Sequence, residues 1–269
     1  MNADSTSVSA KEHLVSKETG IYGRRWDTIH NGYFADPDVA FPLIEVIKRA
    51  IDSNHPDVLV DLGGGTGFIL KEFLKHQKYS SLRLINVDSS PQQLSECVDG
   101  RITNIQASVD QVSRSQFQPK NGQLMLIARS LLHYFGHSGL RPLLVHIRRQ
   151  LKEGEIFIHQ SACFDKVENA EFLNLVYKLM STKKWYTTID NLKSILNETG
   201  FSVCNVCSGV KVQIDCGDLA ERYQLNPQQI TSIRKELERL YKQKHDVFKS
   251  SVDNFTVWLH YSIFTCKAS

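Results

Sequence analysis

Apolar residues recur along the chain at two alternating spacings, one typical of helices and the other of buried strands. From Asp36 to Ile51 they return every three or four positions, and Asp36-Pro37 is typical of a helix start. Short apolar runs follow at 58–60, 82–87, 102–106, 124–128 and 155–159, with helical spacing between most of them. This alternation predicts right-handed βαβ units and a mostly parallel sheet with helices on both faces.

The pattern changes after Ala162. It predicts helices around 172–179 and over 189–199, a strand over 201–207 and a last strand over 255–266. Between the last two strands, residues 218–250 are charged and carry apolar residues at helical spacing. We therefore expect a helical insert before the last strand.

The composition is that of a globular protein. Of 269 residues, 41% are hydrophobic and 23% are charged, which excludes wholesale disorder and a fibrous fold. The net charge of +3 is too small to indicate a nucleic-acid or membrane partner. The apolar runs are far shorter than the roughly 20 residues that cross a bilayer, and residues 1–18 lack the apolar stretch of a secretory signal. We expect a cytoplasmic protein whose cysteines are thiols.

A single C-x-x-C, formed by Cys204 and Cys207, is the one cysteine pattern that raises the question of a metal. It lies in a predicted strand, where positions three apart point to opposite faces of the sheet. No second Cys/His pair has a matching spacing, so we expect no metal site.

A glycine-rich loop, residues 58–67 (VLVDLGGGTG), follows the first predicted strand. Glycines allow a sharp turn and let a ligand approach the backbone closely. The loop is not the G-x-G-x-x-G of dinucleotide-binding proteins, because Phe68 takes the place of the last glycine. Asp61 lies two residues before the first glycine, where a carboxylate would repel a pyrophosphate and favour a cationic ligand.

This loop resembles the first motif of the class I S-adenosylmethionine-dependent methyltransferases, an acidic residue followed by G-x-G-x-G. Asp61, Gly63, Gly65 and Gly67 match it. The second motif of that family is an acidic residue at the end of the next strand, whose carboxylate accepts the ribose hydroxyls. Asp88 matches it, 27 positions after Asp61.

Two further segments extend the resemblance. After the third strand the family often places an Asp against the adenine amino group, and here either Ser108 or Asp110 fills that role. The segment 124–134 resembles the fourth strand and its loop, which implies that Ala128 and Arg129 lie beside the cofactor. The resemblance implies an S-adenosylmethionine site formed by Tyr22, Asp61, Gly63, Gly64, Gly65, Asp88, Ser89, Ala107, Ser108, Val109 and Arg129.

The resemblance covers roughly 55–205 and implies a doubly wound α/β fold with a seven-stranded sheet whose last strand is antiparallel. We expect a flexible tail over 1–18 and a single methyltransferase domain over 19–269. Its parts would be a helical cap over 19–52, a cofactor-binding half over 53–163, a helical segment over 164–200 and the helical insert over 218–250.

The class of molecule that accepts the methyl group is narrowed by the motifs that the sequence lacks. The loop after the fourth strand, Ala128 to Leu131, has no Asp/Asn-Pro-Pro-aromatic sequence, and no proline precedes a cysteine, so two nucleic-acid methyltransferase classes do not fit. The insert mixes acidic and basic residues, as solvated helices do. We expect methyl transfer to an O, N or C atom of a small molecule, with no nucleic-acid or membrane partner. An RNA- or protein-directed enzyme and a non-catalytic cofactor-binding protein are the alternatives, and the oligomeric state stays open.

A histidine follows the fourth strand in the sequence L-L-H-Y-F, residues 131–135. It resembles the L-H-x-W segment of small-molecule O-methyltransferases, whose histidine deprotonates the acceptor, although Phe135 replaces the tryptophan. Other branches of the family place a histidine here that only packs, so His133 is either a catalytic base or a packing residue. Tyr134 is a candidate substrate contact. Trp26 either contacts the substrate or packs the preceding segment onto the domain.

Overall fold

The computed structural model describes residues 29–119, 122–241 and 246–269. The predicted tail over 1–18 and the predicted site residues Tyr22 and Trp26 lie outside these ranges. Strands are labelled β and α-helices α, each in chain order. The strands are β1 (Val58–Leu62), β2 (Arg83–Asp88), β3 (Ile102–Gln106), β4 (Leu124–Arg129), β5 (Ile156–Phe164), β6 (Thr187–Thr188), β7 (Phe201–Ser208), β8 (Val212–Asp215), β9 (Phe248–Ser250), β10 (Phe255–Leu259) and β11 (Tyr261–Ala268). The α-helices are α1 (Pro37–Asn54), α2 (Phe68–Leu74), α3 (Pro91–Ser95), α4 (Arg114–Phe117), α5 (Gly136–Arg149), α6 (Val167–Leu179), α7 (Ile189–Glu198), α8 (Cys216–Tyr223) and α9 (Pro227–Leu240).

The main sheet has the order β3-β2-β1-β4-β5-β11-β7, with the short β6 beside the end of β5. β1 to β5 pair in parallel, whereas β11 runs antiparallel to both β5 and β7. This confirms the predicted doubly wound α/β sheet of seven strands with an antiparallel last strand.

Helices cover both faces of this sheet, as the alternation predicts. Val58 and Val60 of β1 pack on one side with Leu144 of α5, and Leu59 packs on the other side with Ile47 of α1. Every residue of β1 is buried. Buried strands read as continuous apolar runs because both of their faces are covered.

Helix α1 begins where the sequence indicates. The carboxylate of Asp36 accepts a hydrogen bond of 2.8 Å from the amide of Asp38, and Pro37 occupies the first helical position. Short 3-10 turns lie at Ile29–Gly32, Gln77–Tyr79 and Leu132–Phe135. None of the helices in the described ranges has the length and apolar character needed to cross a membrane.

The predicted helical insert over 218–250 contains α9, most of α8 and the short strand β9, and β9 belongs to a second sheet whose other two strands flank the insert. Strands β8, β10 and β9 form an antiparallel sheet in that order. The apolar run read as one strand over 255–266 is two strands in two sheets, β10 and β11, with His260 between them. An apolar pattern reports burial and not the partner strand, so it could not show this division.

Candidate functional site

The site lies at the carboxyl edge of the main sheet, between β1 and β4. After β3 the chain crosses over to β4, on the other side of β1, so the strand order reverses at this point. Ligands of open α/β sheets bind in the crevice that forms there. The loops that follow the two strands meet across it, since a Cβ placed on Gly63 would lie 2.8 Å from Cδ1 of Leu131.

The loop over 63–67 needs glycine for two separate reasons. Gly65 has a φ of +57°, in the left-handed region that side chains disfavour. Gly64 has an ordinary φ but no space, because its Cβ would lie 2.3 Å from Oδ1 of Asn86 and 2.7 Å from the carboxylate carbon of Asp61. The structure therefore brings Gly63, Gly64, Gly65 and Asp61 together, as the motif predicts.

Asp61 is a buried carboxylate beside this loop. Its side chain is 1% exposed, and neither oxygen has a hydrogen-bond partner among the described residues. Burial, and then the negative charge of Asp88, raise the pKa of Asp61 to about 7, while the guanidinium of Arg129 opposes that rise. A buried carboxylate is costly without a partner, so this position favours a ligand that brings positive charge or hydrogen-bond donors.

Asp88 ends β2 and holds the glycine loop. Its Oδ2 accepts a hydrogen bond of 3.0 Å from the amide of Gly65, and its Oδ1 accepts one of 2.8 Å from the amide of Ser90. Burial raises the pKa of Asp88, and the amides of Ser90, Gly65 and Ser89 act against that rise. Each carboxylate oxygen has a second lone pair, so Asp88 can also accept hydrogen bonds from ligand hydroxyls.

The segment after β3 lies beside Asp88, because the amide of Ala107 donates to the carbonyl of Asp88 at 3.0 Å. The Ser108 hydroxyl donates a hydrogen bond to the carboxylate of Asp110, while Val109 is buried in the core. The side chains of Ser108 and Asp110 are therefore neighbours joined by a hydrogen bond. Either of them remains a candidate for the contact with the adenine amino group.

Arg129 ends β4 and makes its hydrogen bonds within the protein. Its guanidinium donates to Oε1 of Gln160 at 3.0 Å and to the carbonyl of Phe34 at 2.9 Å, and it lies over the rings of Tyr33 and Phe34. Arg129 thus anchors the segment before α1 to the carboxyl edge of the sheet. Burial lowers its pKa. Sequence reasoning places it at the site but misses this anchoring role, since Phe34 is 95 positions away.

A narrow cavity is lined in part by the turn that follows β4. Its lining includes Ser130, His133, Tyr134, Tyr261 and Arg222. The space left between the side chains is close to that of one water molecule. The segment before α1, the turn after β4 and the insert all contribute to it.

His133 is buried in the wall of this cavity. Its ring stacks on Tyr186 with centroids 5.2 Å apart and lies 4.3 Å from the ring of Tyr134. Its Nδ1 has no hydrogen-bond partner among the described residues. Burial, followed by the charges of Lys184 and Arg222, lowers the pKa of His133 well below its ordinary value of 6.5. The imidazole is therefore neutral at neutral pH.

The cavity also contains residues that the sequence did not indicate. Lys184 and Arg222 are both buried, and the guanidinium of Arg222 donates a hydrogen bond of 2.8 Å to the hydroxyl of Tyr134. Nδ1 of His30 lies 3.0 Å from the carboxylate of Asp218. No spacing pattern joins these residues, because the fold brings them in from four separate segments. Within the described ranges, no group of three or more His, Cys, Asp or Glu could hold a metal ion.

Comparisons with known proteins agree with this architecture. Among solved structures, the fold is shared with a Bacillus halodurans C-125 protein provisionally assigned as a methyltransferase (11% identity, TM-score 0.63, 83% of this chain and 97% of that chain). It is also shared with the YcgJ protein of Bacillus subtilis (11%, 0.59, 84% and 97%). A third is the Burkholderia thailandensis 1,6-didemethyltoxoflavin-N1-methyltransferase, solved with 1,6-didemethyltoxoflavin and S-adenosylhomocysteine bound (14%, 0.55, 100% and 92%). A search of curated proteins finds no match.

These low identities show the fold alone. The family itself is shown by the sequence, because a family model described as a methyltransferase domain matches residues 39–206. That match spans more than half of the chain and includes the glycine loop, Asp61, Asp88 and the turn after β4. The chain therefore belongs to the methyltransferase domain family.

Proposed function

We propose that this protein transfers a methyl group from S-adenosylmethionine to a small-molecule acceptor. The observation that carries the proposal is the buried carboxylate of Asp61, which has no hydrogen-bond partner among the described residues and lies against a glycine loop. The ammonium and sulfonium of S-adenosylmethionine give it the positive charge that such a carboxylate favours. The residues present thus fit this cofactor.

The cofactor would be held at the crevice between β1 and β4. The backbone over 63–65 would lie against it, Asp88 would accept its ribose hydroxyls, and residues 107–109 would contact the adenine, with Ser108 or Asp110 at the amino group. Asp88 suits this role because its two oxygens are already oriented by backbone amides. When bound, S-adenosylmethionine supplies an electrophilic methyl group on a good leaving group.

The protein's own contribution is alignment and, for an acceptor that carries a proton, its removal. We propose that His133 accepts that proton at Nδ1. The ring is neutral, its Nδ1 is unpartnered among the described residues, and it lines the cavity next to the crevice. The alternative, that His133 only packs, is supported by its stacking on Tyr186. Tyr134, in the same wall, would contact the acceptor.

The loop after β4, Ala128 to Leu131, lacks the Asp/Asn-Pro-Pro-aromatic sequence of amino-directed nucleic-acid methyltransferases, which supports a small-molecule acceptor. The test is a transfer assay with methyl-labelled S-adenosylmethionine and three separate acceptor pools: a small-molecule extract, total RNA and total protein. We expect label in the small-molecule pool, and much less of it with the Asp88→Ala variant at a subsaturating concentration of S-adenosylmethionine. Label in RNA or protein alone would contradict the proposed acceptor class, and no S-adenosylmethionine binding would contradict the proposed cofactor.

A further inference from the structure

We propose that the methyl group is transferred to a hydroxyl oxygen of the acceptor, and that the hydroxyl groups of Ser130 and Tyr261 hold this oxygen. This inference rests on the proposed function and names the reacting atom of its acceptor.

Ser130 and Tyr261 form a buried pair of hydroxyl groups in the cavity wall. Their side-chain oxygens are 2.7 Å apart, and the two residues lie at the end of β4 and the start of β11. Ser130 is 8% exposed and Tyr261 is 3% exposed, and both line the cavity. Burial raises the pKa of Tyr261 to about 12, so both hydroxyls carry their protons at neutral pH.

This hydroxyl pair has an O–H donor to spare. Each hydroxyl carries one hydrogen, and the bond between the two oxygens uses only one of the two. Whichever oxygen donates that bond, the remaining O–H has no acceptor among the described residues. A buried donor without a partner is costly, so this position favours a ligand atom that accepts a hydrogen bond.

The backbone of Ser130 is strained, which is an independent indication of a site at this residue. Its φ is +57°, in the left-handed region that residues other than glycine rarely adopt. The amide of Ser130 donates a hydrogen bond of 2.8 Å to the carbonyl of Gln160, and Tyr261 holds the hydroxyl. Such conformations persist where the surroundings hold them, and they cluster at functional sites.

Ser130 adjoins both the crevice and the cavity. The next residue, Leu131, faces the glycine loop, since a Cβ on Gly63 would lie 2.8 Å from its Cδ1. Ser130 itself lines the cavity together with His133. A methyl group bound in the crevice and an atom held by the Ser130 hydroxyl would therefore meet at the turn after β4.

The space beside the hydroxyl pair accommodates one polar group. It is close to that of one water molecule, so the hydroxyl pair and His133 border the same group of a bound molecule. The walls must part to admit the remainder of the acceptor. In the proposed function the group that enters gives a proton to His133, attacks the methyl carbon and accepts a hydrogen bond from the hydroxyl pair.

A hydroxyl oxygen meets all three requirements. It carries a hydrogen for His133, one lone pair for the methyl carbon and a second lone pair for the hydroxyl pair. An amine nitrogen has a single lone pair, which must point at the methyl carbon, and a carbon nucleophile has none to spare. The new bond joins the oxygen to the methyl carbon, the bond from that carbon to sulfur breaks with its electron pair left on sulfur, and the proton goes to Nδ1 of His133.

The first test identifies the atom that receives the methyl group. The whole protein would be incubated with the small-molecule extract and S-adenosylmethionine whose methyl group carries the NMR-active carbon isotope. Carbons of O-methyl, N-methyl and C-methyl groups have separate chemical shifts, and we expect an O-methyl product. An N-methyl or C-methyl product would overturn the inference without relying on any variant.

The second test locates the oxygen at the hydroxyl pair. Transfer would be measured over serial dilutions of the extract with S-adenosylmethionine saturating, so that the half-saturating dilution gives the apparent KM for the acceptor. The double variant Ser130→Gly/Tyr261→Phe removes both hydroxyls, while glycine keeps the left-handed turn and phenylalanine keeps the ring. We expect its apparent KM to rise about tenfold, the size of one lost hydrogen bond, with unchanged affinity for S-adenosylhomocysteine. Each single variant retains one hydroxyl and should lose less.

The matched controls are Ser181→Gly and Tyr79→Phe. Ser181 is an exposed serine with the same φ of +57°, and Tyr79 is a half-buried tyrosine whose ring packs on Phe73. Neither residue lines the cavity, so both controls should leave transfer unchanged. Chemical unfolding gives a readout apart from activity, because the bond between the two hydroxyls should make the effects of the single variants on the free energy of unfolding non-additive.

The affinity of the wild-type protein for S-adenosylhomocysteine and its transfer of label to the small-molecule pool are measured first. If either is absent, the proposed function fails and the inference fails with it. If both are present, a product without an O-methyl group, or a folded double variant with the apparent KM of the wild type, would overturn the inference alone.

Discussion

The amide of Gly65 donates a hydrogen bond of 3.0 Å to Oδ2 of Asp88, which joins the glycine loop after β1 to the end of β2. One carboxylate thus fixes the loop and, in the proposed function, accepts the ribose hydroxyls of the cofactor. Removing it should therefore affect both the shape of the loop and the binding of the ligand.

Asp88→Ala should weaken binding of S-adenosylmethionine about tenfold or more, because each charge-assisted hydrogen bond contributes roughly 1.5–3 kcal/mol. Calorimetry measures the change. The control is Asp52→Ala, which removes a half-exposed carboxylate near the end of α1. Unchanged affinity in Asp88→Ala would contradict the assignment of this residue.

Gly64→Ala should destabilise the fold, whereas Gly100→Ala should not. The added Cβ at position 64 would lie 2.3 Å from Oδ1 of Asn86, inside a packed part of the site, and such overpacking costs about 1–3 kcal/mol. Position 100 has no heavy atom within 4 Å of the added Cβ. Thermal unfolding of both variants measures the contrast, and equal melting temperatures would show that the loop has room.

Asp61→Asn should flatten the pH dependence of stability without cofactor. The pKa of Asp61 in the folded state is about 7, and in the unfolded chain it is about 4. Between those values the folded state holds a proton that the unfolded state has released, so stability falls as the pH rises through this window and is constant above it. At pH 8 the loss reaches at most about 4 kcal/mol.

The measurement is the free energy of unfolding of the wild-type protein minus that of Asp61→Asn, from pH 4.5 to 8. We expect the difference to fall with pH and to level off above about 7. A difference that stays constant over the whole range would show that Asp61 is ionised throughout. Asp52→Asn, at a half-exposed site, provides the matched control.

His133→Gln should bind S-adenosylhomocysteine normally and lose on the order of 10² or more in kcat with an acceptor identified by the labelling assay. Part of the loss should be recovered at high pH, where the acceptor loses its proton to solvent and needs no base from the protein. Because the pKa of His133 is well below 6.5, its titration should not appear in the kcat profile at neutral pH. A loss below about threefold would instead assign this histidine to packing against Tyr186.

The sequence by itself determined the sheet and the glycine-loop half of the site. Asp61 and the glycines lie within a few positions of one another, and Asp88 ends the next strand. Short motifs at the ends of two neighbouring strands were therefore enough to predict this half of the site. Parallel strands place their carboxyl ends on one edge, which is why alternating patterns were enough to predict that these residues meet.

Only the tertiary structure shows which residues line the cavity. Arg222 reaches the hydroxyl of Tyr134 across 88 positions, and Asp218 reaches His30 across 188. It also divided the last apolar run between two sheets at His260. An apolar or charged position in a sequence records whether a side chain is buried or solvated, but the partner that covers it is set by how distant elements pack. The lining of this cavity is built from such distant contacts, so only the folded chain shows Lys184 and Arg222 together.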